Sequence, residues 1–303
     1  MNHDIKLFHG DCLELMKTIP EHSVDMVLCD LPYGVLNKSN PSAKWDSMIP
    51  FEPLWKQYKR ITKPNAAIVL FSQGMFTAKL MMSNPKWWRY NLIWDKVLKN
   101  GFLNANRQPL RQHEDICVFS SGQTIYNPQM VKCEPRQKNH RRHRSGEDKL
   151  NGELTNRCYG KFGDVPDMIT DEKYPTSIIS VPKQHINGKS YHPTEKPVAL
   201  LEYLIKTYSN ENDVVLDNTA GSMSTAIAAI NTKRKCIYSC NCCTHATCRD
   251  YPLYFFFECV AVLCETLVIV FTLYVSLCTG YYLIFVFCMC AYCKCLCDGF
   301  YHI

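Results

Sequence analysis

The stretch Val24-Asp25-Met26-Val27-Leu28-Cys29-Asp30-Leu31-Pro32-Tyr33-Gly34 decides how this chain folds. Val24 to Cys29 is short and largely apolar, which suits a strand buried on both faces of a parallel sheet. Asp30 and Pro32 then break it, since an Asp-Pro cluster punctuates a strand with a turn. The carboxyl edge of an open α/β sheet is where ligands bind, so Asp30, Leu31, Pro32 and Tyr33 are candidate site residues. An ordinary strand-to-turn connection is the alternative reading of the same four residues.

Working outward, Ile5 to Phe8, Ala66 to Phe71 and Val214 to Asp217 have the same strand-like character. Leu13 to Ile19, Phe51 to Ile61, Val198 to Tyr208 and Ser224 to Asn231 read as helices between or beside them. Asn91 to Val97 and Asp115 to Ser120 suit the two strands of a long hairpin. This alternation predicts a doubly wound, Rossmann-like α/β sheet. Between about Gly122 and Lys189 the periodicity fades, and Pro, Asn, Lys, Arg and His accumulate, which marks an insertion or small lobe. The expected division is therefore 1–121, an insertion over 122–189, a second half of the sheet over 190–237, and a tail over 238–303.

A second candidate site lies at Val214-Val215-Leu216-Asp217-Asn218-Thr219-Ala220-Gly221-Ser222, a strand entering a small-residue turn ahead of a helix. Such a turn lets a ligand approach the backbone, with helix-end N–H groups facing it. A tight connection with only a packing role is the competing reading.

Composition divides the chain in the same place as the elements do. The net charge of +6 conceals an asymmetry, because Tyr238 to Ile303 carries only Arg249 and Lys294 against four acids. The basic part is the one suited to a polyanion. Of 18 cysteines, five are scattered from Cys12 to Cys158 and thirteen crowd Cys236 to Cys297. The scattered set predicts reduced thiols and a cytoplasmic setting. The opening MNHDIKLF shows neither signal-peptide nor transit-peptide character, so export by that route is not expected.

Asp30-Leu31-Pro32-Tyr33 early, His192-Pro193-Thr194-Glu195-Lys196-Pro197 late, then Asp217 to Ser222 form an ordered set. In that order they closely resemble the permuted beta group of site-specific DNA amino-methyltransferases, over about Ile5 to Ile237. Gly10, Asp11 and Cys12, Phe71 and Ser72, Trp94 to Lys96, and His113 with Glu114 are smaller matches. The resemblance implies an S-adenosyl-L-methionine-dependent methyltransferase sheet acting on double-stranded DNA. Asp30, Leu31, Pro32 and Tyr33 match its catalytic motif, with Leu31 where the family usually has proline. Asp11 matches an acid near the cofactor adenine, and Asp217, Thr219, Gly221 and Ser222 match the cofactor loop. Thr194 and Lys196 match positions near its methionine end. No metal is implied. A leading Asp in the catalytic motif, rather than Ser, favours adenine over cytosine.

That motif has a chemical rationale. An amine conjugated to an aromatic ring is a poor nucleophile, because its lone pair is delocalised. Asp30 can accept one amine hydrogen and the Leu31 carbonyl the other, while Tyr33 stacks on a base turned out of the duplex. The 122–189 insertion becomes the expected target-recognition region. Its Lys138, Arg141, Arg142 and Arg144 suit phosphate contacts, with a solvated loop as the alternative.

Two departures from the family pattern stand out. Met223 occupies the place of a second glycine, where it is expected to fill cofactor space or strain the turn. After Ile237 the family continues into a strand ending in Gly-x-Glu, whose acid binds ribose hydroxyls, and then a closing helix. Here Tyr238, Ser239, Cys240 and Asn241 follow, and no carboxylate occurs until Asp250. The family's strand is therefore expected to be lost, leaving its neighbours without their shared partner, unless Cys236 to Cys240 forms a short substitute strand. Three readings of the tail remain. Thr266 to Cys293 is uncharged over 28 residues, enough to cross a bilayer. The cysteine clusters Cys240, Cys242, Cys243, His245, Cys248 and Cys290, Cys293, Cys295, Cys297 could bind metal, although neither has a convincing paired Cys-x-x-Cys framework. The preferred reading is out-of-frame or foreign coding sequence, because the composition changes abruptly within a motif.

Overall fold

The computed structural model describes residues 5–36, 46–138, 149–150, 153–156, 160–161, 168–183 and 195–240. In chain order these form β1 (Ile5–His9), α1 (Cys12–Met16), β2 (Val24–Cys29), α2 (Phe51–Ile61), β3 (Thr62–Ser72), α3 (Met75–Ser83), β4 (Trp88–Asn100) and β5 (Arg111–Phe119). There follow β6 (Val131–Lys138), β7 (Lys149–Leu150), β8 (Glu153–Asn156), β9 (Gly160–Lys161), β10 (Met168–Lys173) and β11 (Ile178–Ser180). The last part comprises α4 (Val198–Tyr208), β12 (Val214–Asp217), α5 (Ser224–Asn231) and β13 (Lys235–Cys240).

Eight strands make one sheet in the order β1-β13-β12-β2-β3-β5-β4-β11. The run from β1 to β3 is parallel throughout, and β5 enters antiparallel to both β3 and β4. Every residue of β2 is buried, as a central parallel strand requires. Val27 and Cys29 of β2, Ile68 and Leu70 of β3, and Cys117 and Phe119 of β5 join one core cluster. Their two-residue spacing places them on one face of the sheet. Leu54, Trp55, Tyr58 and Ile61 of α2, with Phe76 and Leu80 of α3, pack into the same cluster. The alternate residues Met26, Leu28, Val69 and Val215 are equally buried. α4 packs on β2, and α5 packs on α4 and β13. Asp25 is the polar exception within β2. Its carboxylate pairs with Lys63 at 2.6 Å and accepts from Val214 N at 3.0 Å, so it ties the starts of β3 and β12 together.

The expected strands, hairpin and long helices are present. Leu13 to Ile19 is shorter than expected, because α1 stops at Met16 and Arg60 takes the carbonyls of Met16 and Ile19 from outside. The sequence reading missed α3 altogether. Of the two readings of the chain around Ile237, the substitute strand is the one formed: β13 runs from Lys235 to Cys240 and pairs with β1 on one side and β12 on the other, so these neighbours keep a shared partner. Backbone pairing depends little on side-chain identity, so Tyr238 and Ser239 fill the ladder in place of the family's residues. Within the insertion, β6 pairs with β10, and β11 joins the main sheet beside β4.

No helix among the described residues is long and apolar enough to cross a membrane. The apolar run 266–293 and the cysteine-rich tail lie outside the described residues, as does the place of the closing helix.

Candidate active site

β2, β3 and β12 end on a common edge, and the turns leaving the neighbouring strands β2 and β12 both line a cleft of about 1130 Å³. Its lining includes Asp11, Asp30, Tyr33, Lys196, Asp217 and Thr219. A hydrogen bond joins the two turns, with Thr219 Oγ1 donating to the Asp30 carbonyl at 3.1 Å.

Both oxygens of the Asp30 carboxylate are engaged. Tyr33 Oη donates to Oδ1 at 2.8 Å, and Lys196 Nζ meets Oδ2 at 2.5 Å. Lys196 also lies 3.5 Å from Glu114 Oε2, while Lys96 holds Glu114 Oε1 at 3.2 Å. Charges therefore alternate along Asp30, Lys196, Glu114 and Lys96. Burial alone would depress Lys196, but Asp30 and Glu114 hold it above its ordinary value. Burial opposes the charge on Glu114 as well, yet Lys196 and Lys96 pull it below the usual range. The Lys196 ammonium also sits 5.1 Å from the Phe71 ring centroid. Burial, then the Asp30 charge, pushes the Tyr33 hydroxyl well up, so it remains a donor. The Tyr33 ring stacks on Phe76 of α3 at 4.8 Å. Leu31 is buried in the core cluster, which anchors the turn.

Beyond Tyr33 the chain is clasped by a residue that sequence reasoning missed. Asp46 is 3% exposed, and its carboxylate accepts from Gly34 N at 3.0 Å, Val35 N at 2.8 Å and Leu36 N at 2.6 Å. Gly34 takes φ +68°, a left-handed conformation that lets consecutive N–H groups converge on one acceptor. A lone Asp among polar residues gives no sequence signal for such a clasp. Phe76 was missed for a similar reason, because α3 has little polar face to announce it.

In the neighbouring turn, Asp217 is buried at the end of β12 and accepts from Thr219 N at 3.1 Å. Desolvation raises its pKa to about 6, against hydrogen bonds that lower it. Asn218 is fixed by Cys29 Sγ at 2.9 Å and Tyr58 Oη at 2.6 Å, both donating to its Oδ1. The buried Nδ2 of Asn218 meets no acceptor within hydrogen-bond distance. Burial raises the nearby Cys12 thiol. Ser222 and Ser224 share a hydrogen bond at 2.8 Å, and Ser224 reaches Glu195 at 3.3 Å. Met223 begins α5 at φ +59° and is 5% exposed, so the turn forces a large side chain into the left-handed region. Gly221 is not the residue that takes the positive φ.

Asp11 Oδ1 caps α1, accepting from Leu13 N at 2.8 Å and Glu14 N at 3.3 Å. Asp11, Asp30, Leu31, Pro32, Tyr33, Lys196, Asp217, Thr219, Gly221 and Ser222 are thus brought to one cleft. Phe71, Trp94, Lys96, His113 and Glu114, the smaller matches in the sequence, line it too. Lys138 ends β6, in register with Met168 of β10. Thr194, Arg141, Arg142 and Arg144 lie outside the described residues.

The family model described as DNA methylase matches residues 24–242. The Type II methyltransferase M.HinfI of Haemophilus influenzae is 28% identical over 247 residues, covering 74% of this chain and 61% of that protein. The Type II methyltransferase M.BglII of Bacillus subtilis is 25% identical over 260 residues, 77% of this chain and 64% of its own length. The chain thus spans less than two thirds of either protein. The putative methylase YubD of Escherichia coli (strain K12) is 24% identical over 235 residues, with 77% and 82% covered. Among solved structures, the cytosine-N4-specific PvuII DNA methyltransferase shares the fold with a TM-score of 0.53 at 16% identity, covering 78% of this chain and 82% of that one. The M1.HpyAVI–SAM complex does so with a TM-score of 0.51 at 21% identity, covering 78% and 93%.

Proposed function

The chain belongs to the N6/N4 DNA methylase family, and on that premise we propose that it methylates the exocyclic amine of a base in double-stranded DNA. S-adenosyl-L-methionine is the methyl donor in this reading, and adenine is preferred to cytosine. The observation that carries the proposal is the union of the two turns: Asp30-Leu31-Pro32-Tyr33 and Asp217 to Ser222 share one cleft and are bonded through Thr219 and Asp30.

The donor set fits the cofactor, which is cationic and rich in hydrogen-bond donors. Asp11, Asp217 and Glu195 present carboxylates to the cleft, and with Thr194, Lys196, Thr219, Gly221 and Ser222 they would hold it. When bound, it supplies an activated methyl group. Asp30 accepts one hydrogen of the base amine and the Leu31 carbonyl accepts the other, which turns the nitrogen lone pair out of the ring plane. Lys196 and Tyr33 orient the two Asp30 oxygens before the base arrives. Tyr33, backed by Phe76, offers its other face to the base. The inserted region supplies target recognition, with Lys138, Arg141, Arg142 and Arg144 on phosphates.

The test is incubation of the full chain with unmodified duplex DNA and S-adenosyl-L-methionine, followed by nucleoside mass spectrometry and a calorimetric titration of the cofactor. N6-methyladenine is the expected product. N4-methylcytosine instead would overturn the base preference, and no methylated base beside tight cofactor binding would overturn the catalytic reading. A second reading, an impaired enzyme that still binds DNA, is favoured by Met223, which is buried in a left-handed turn within the cofactor loop. The described end of β13, Tyr238 to Cys240, also supplies no carboxylate for a ribose. In that case cofactor affinity is weak while DNA binding persists.

A further inference from the structure

The connection between β4 and β5 carries Gly101-Phe102-Leu103-Asn104-Ala105-Asn106-Arg107-Gln108-Pro109-Leu110, which the methylation chemistry does not use. Gly101 takes φ +91° and starts a single 3₁₀ turn over Phe102–Asn104. Asn104 N donates to Gly101 O at 2.9 Å and Ala105 N to Phe102 O at 3.1 Å. Arg107 N and Gln108 N both return to Asn104 O, at 2.9 and 3.0 Å. The tip is therefore closed by its own backbone, yet it displays Phe102 and Leu103 at 77% and 85% exposure. Holding two large apolar side chains in water on an ordered turn is unfavourable unless something covers them.

The position and charge of the tip say what covers it. Asn100 and Arg111, at the neck of the hairpin, line the cleft that holds Asp30 and Tyr33. Arg111 Nη1 is held there by Gln73 Oε1 at 2.6 Å. From Lys96 to His113 the chain has no carboxylate, and Lys99, Arg107 and Arg111 are exposed around the apolar pair. A second copy of this surface would bring like charges together, whereas a polyanion is complementary to it.

We propose that this hairpin tip is a wedge that enters duplex DNA beside the target base pair. Phe102 and Leu103 fill the stack that the displaced base vacates, and Lys99, Arg107 and Arg111 meet the flanking phosphates. The proposal rests on the reading of the cleft as a site for a base taken out of the duplex. Unstacking a base costs a few kcal/mol, and an apolar side chain placed in the gap offsets part of that cost, as in proteins that wedge base steps apart.

The experiment needs no knowledge of the target sequence. The full chain and a Phe102→Ala/Leu103→Ala variant are titrated with two duplexes of one arbitrary sequence, one intact and one with a central abasic site. Circular dichroism checks that the variant keeps its fold. The parent is expected to bind the abasic duplex about tenfold more tightly, on the scale of one stacked base, because the gap is already open. The variant is expected to lose that preference and keep its affinity for the intact duplex within about twofold, since phosphate contacts carry that term. Lys99→Ala/Arg107→Ala should weaken both duplexes alike. A parent that binds both duplexes equally, or a variant that retains the preference, overturns the wedge and leaves the methylation reading standing. A parent that binds neither duplex overturns both.

Discussion

The turn after β2 and the turn after β12 meet in one cleft but are held in contrasting ways. In the first, Asp30 is engaged through both oxygens, Tyr33 is stacked, and three consecutive N–H groups converge on Asp46. In the second, Met223 is strained, Asp217 is buried with its pKa near 6, and Asn218 Nδ2 meets no acceptor. The first turn is ordered before any ligand arrives, as a positioning device must be. The second retains a desolvated carboxylate, Asp217, whose charge a bound cationic ligand can offset. Base recognition should therefore be sensitive to the loss of individual hydrogen bonds, and cofactor binding should be sensitive to charge and backbone freedom.

The sharpest way to break this contrast is Asp30→Ala. Methyl transfer should fall by at least about 100-fold, the scale of losing one pre-placed hydrogen-bonding group at a transition state. Cofactor affinity measured by calorimetry should barely change, and a comparable loss in both would mean that the two turns act as one unit.

Asp46→Asn probes the clasp rather than the chemistry. The amide keeps the shape but replaces a charged acceptor of three N–H groups, so kcat should fall about tenfold or more, at roughly 1.5–3 kcal/mol for a charged hydrogen bond. The cofactor Kd should stay put. An equal loss in both parameters would show general unfolding, which a melting curve would reveal.

The cofactor side is tested by pH. Protonating Asp217 removes a negative charge that a cationic ligand favours, so cofactor affinity should weaken as pH falls through about 6. Its effect on folding has the opposite sign. Because burial raises this carboxyl above its unfolded value, the stability it contributes is present in acid and lost as pH rises through about 6. Asp217→Asn should flatten both dependences relative to the parent. An unchanged pH profile of cofactor binding would remove Asp217 from that site.

The smallest effect is expected from Met223→Gly. Glycine adopts φ +59° without a Cβ clash but also removes a buried side chain, so the two effects oppose each other and Tm should change little. The emptied volume should also tighten cofactor binding. A lower Tm together with unchanged affinity would show that Met223 contributes more through packing than its turn costs.

What the sequence alone determined lies in short-range patterns. The apolar runs of β2 and β12, the amphipathic spacing of α2 and the Asp-x-Pro break after Cys29 are local, because strand period and turn chemistry act over a few residues. They were enough to place two turns on one edge of a doubly wound sheet, whereas Asp11 and Lys196 were named only through the family resemblance. α3 escaped because it is apolar nearly all round and offers no periodic contrast. Only the tertiary structure decided that Lys196 bonds Asp30 across 166 positions of sequence. The same is true of Glu114 pairing with two lysines and of Asp46 closing on Gly34 to Leu36. Such contacts depend on strand order and on which groups burial leaves to pair with one another. Chain spacing carries no record of either, because any carboxylate brought beside a buried ammonium satisfies it equally well.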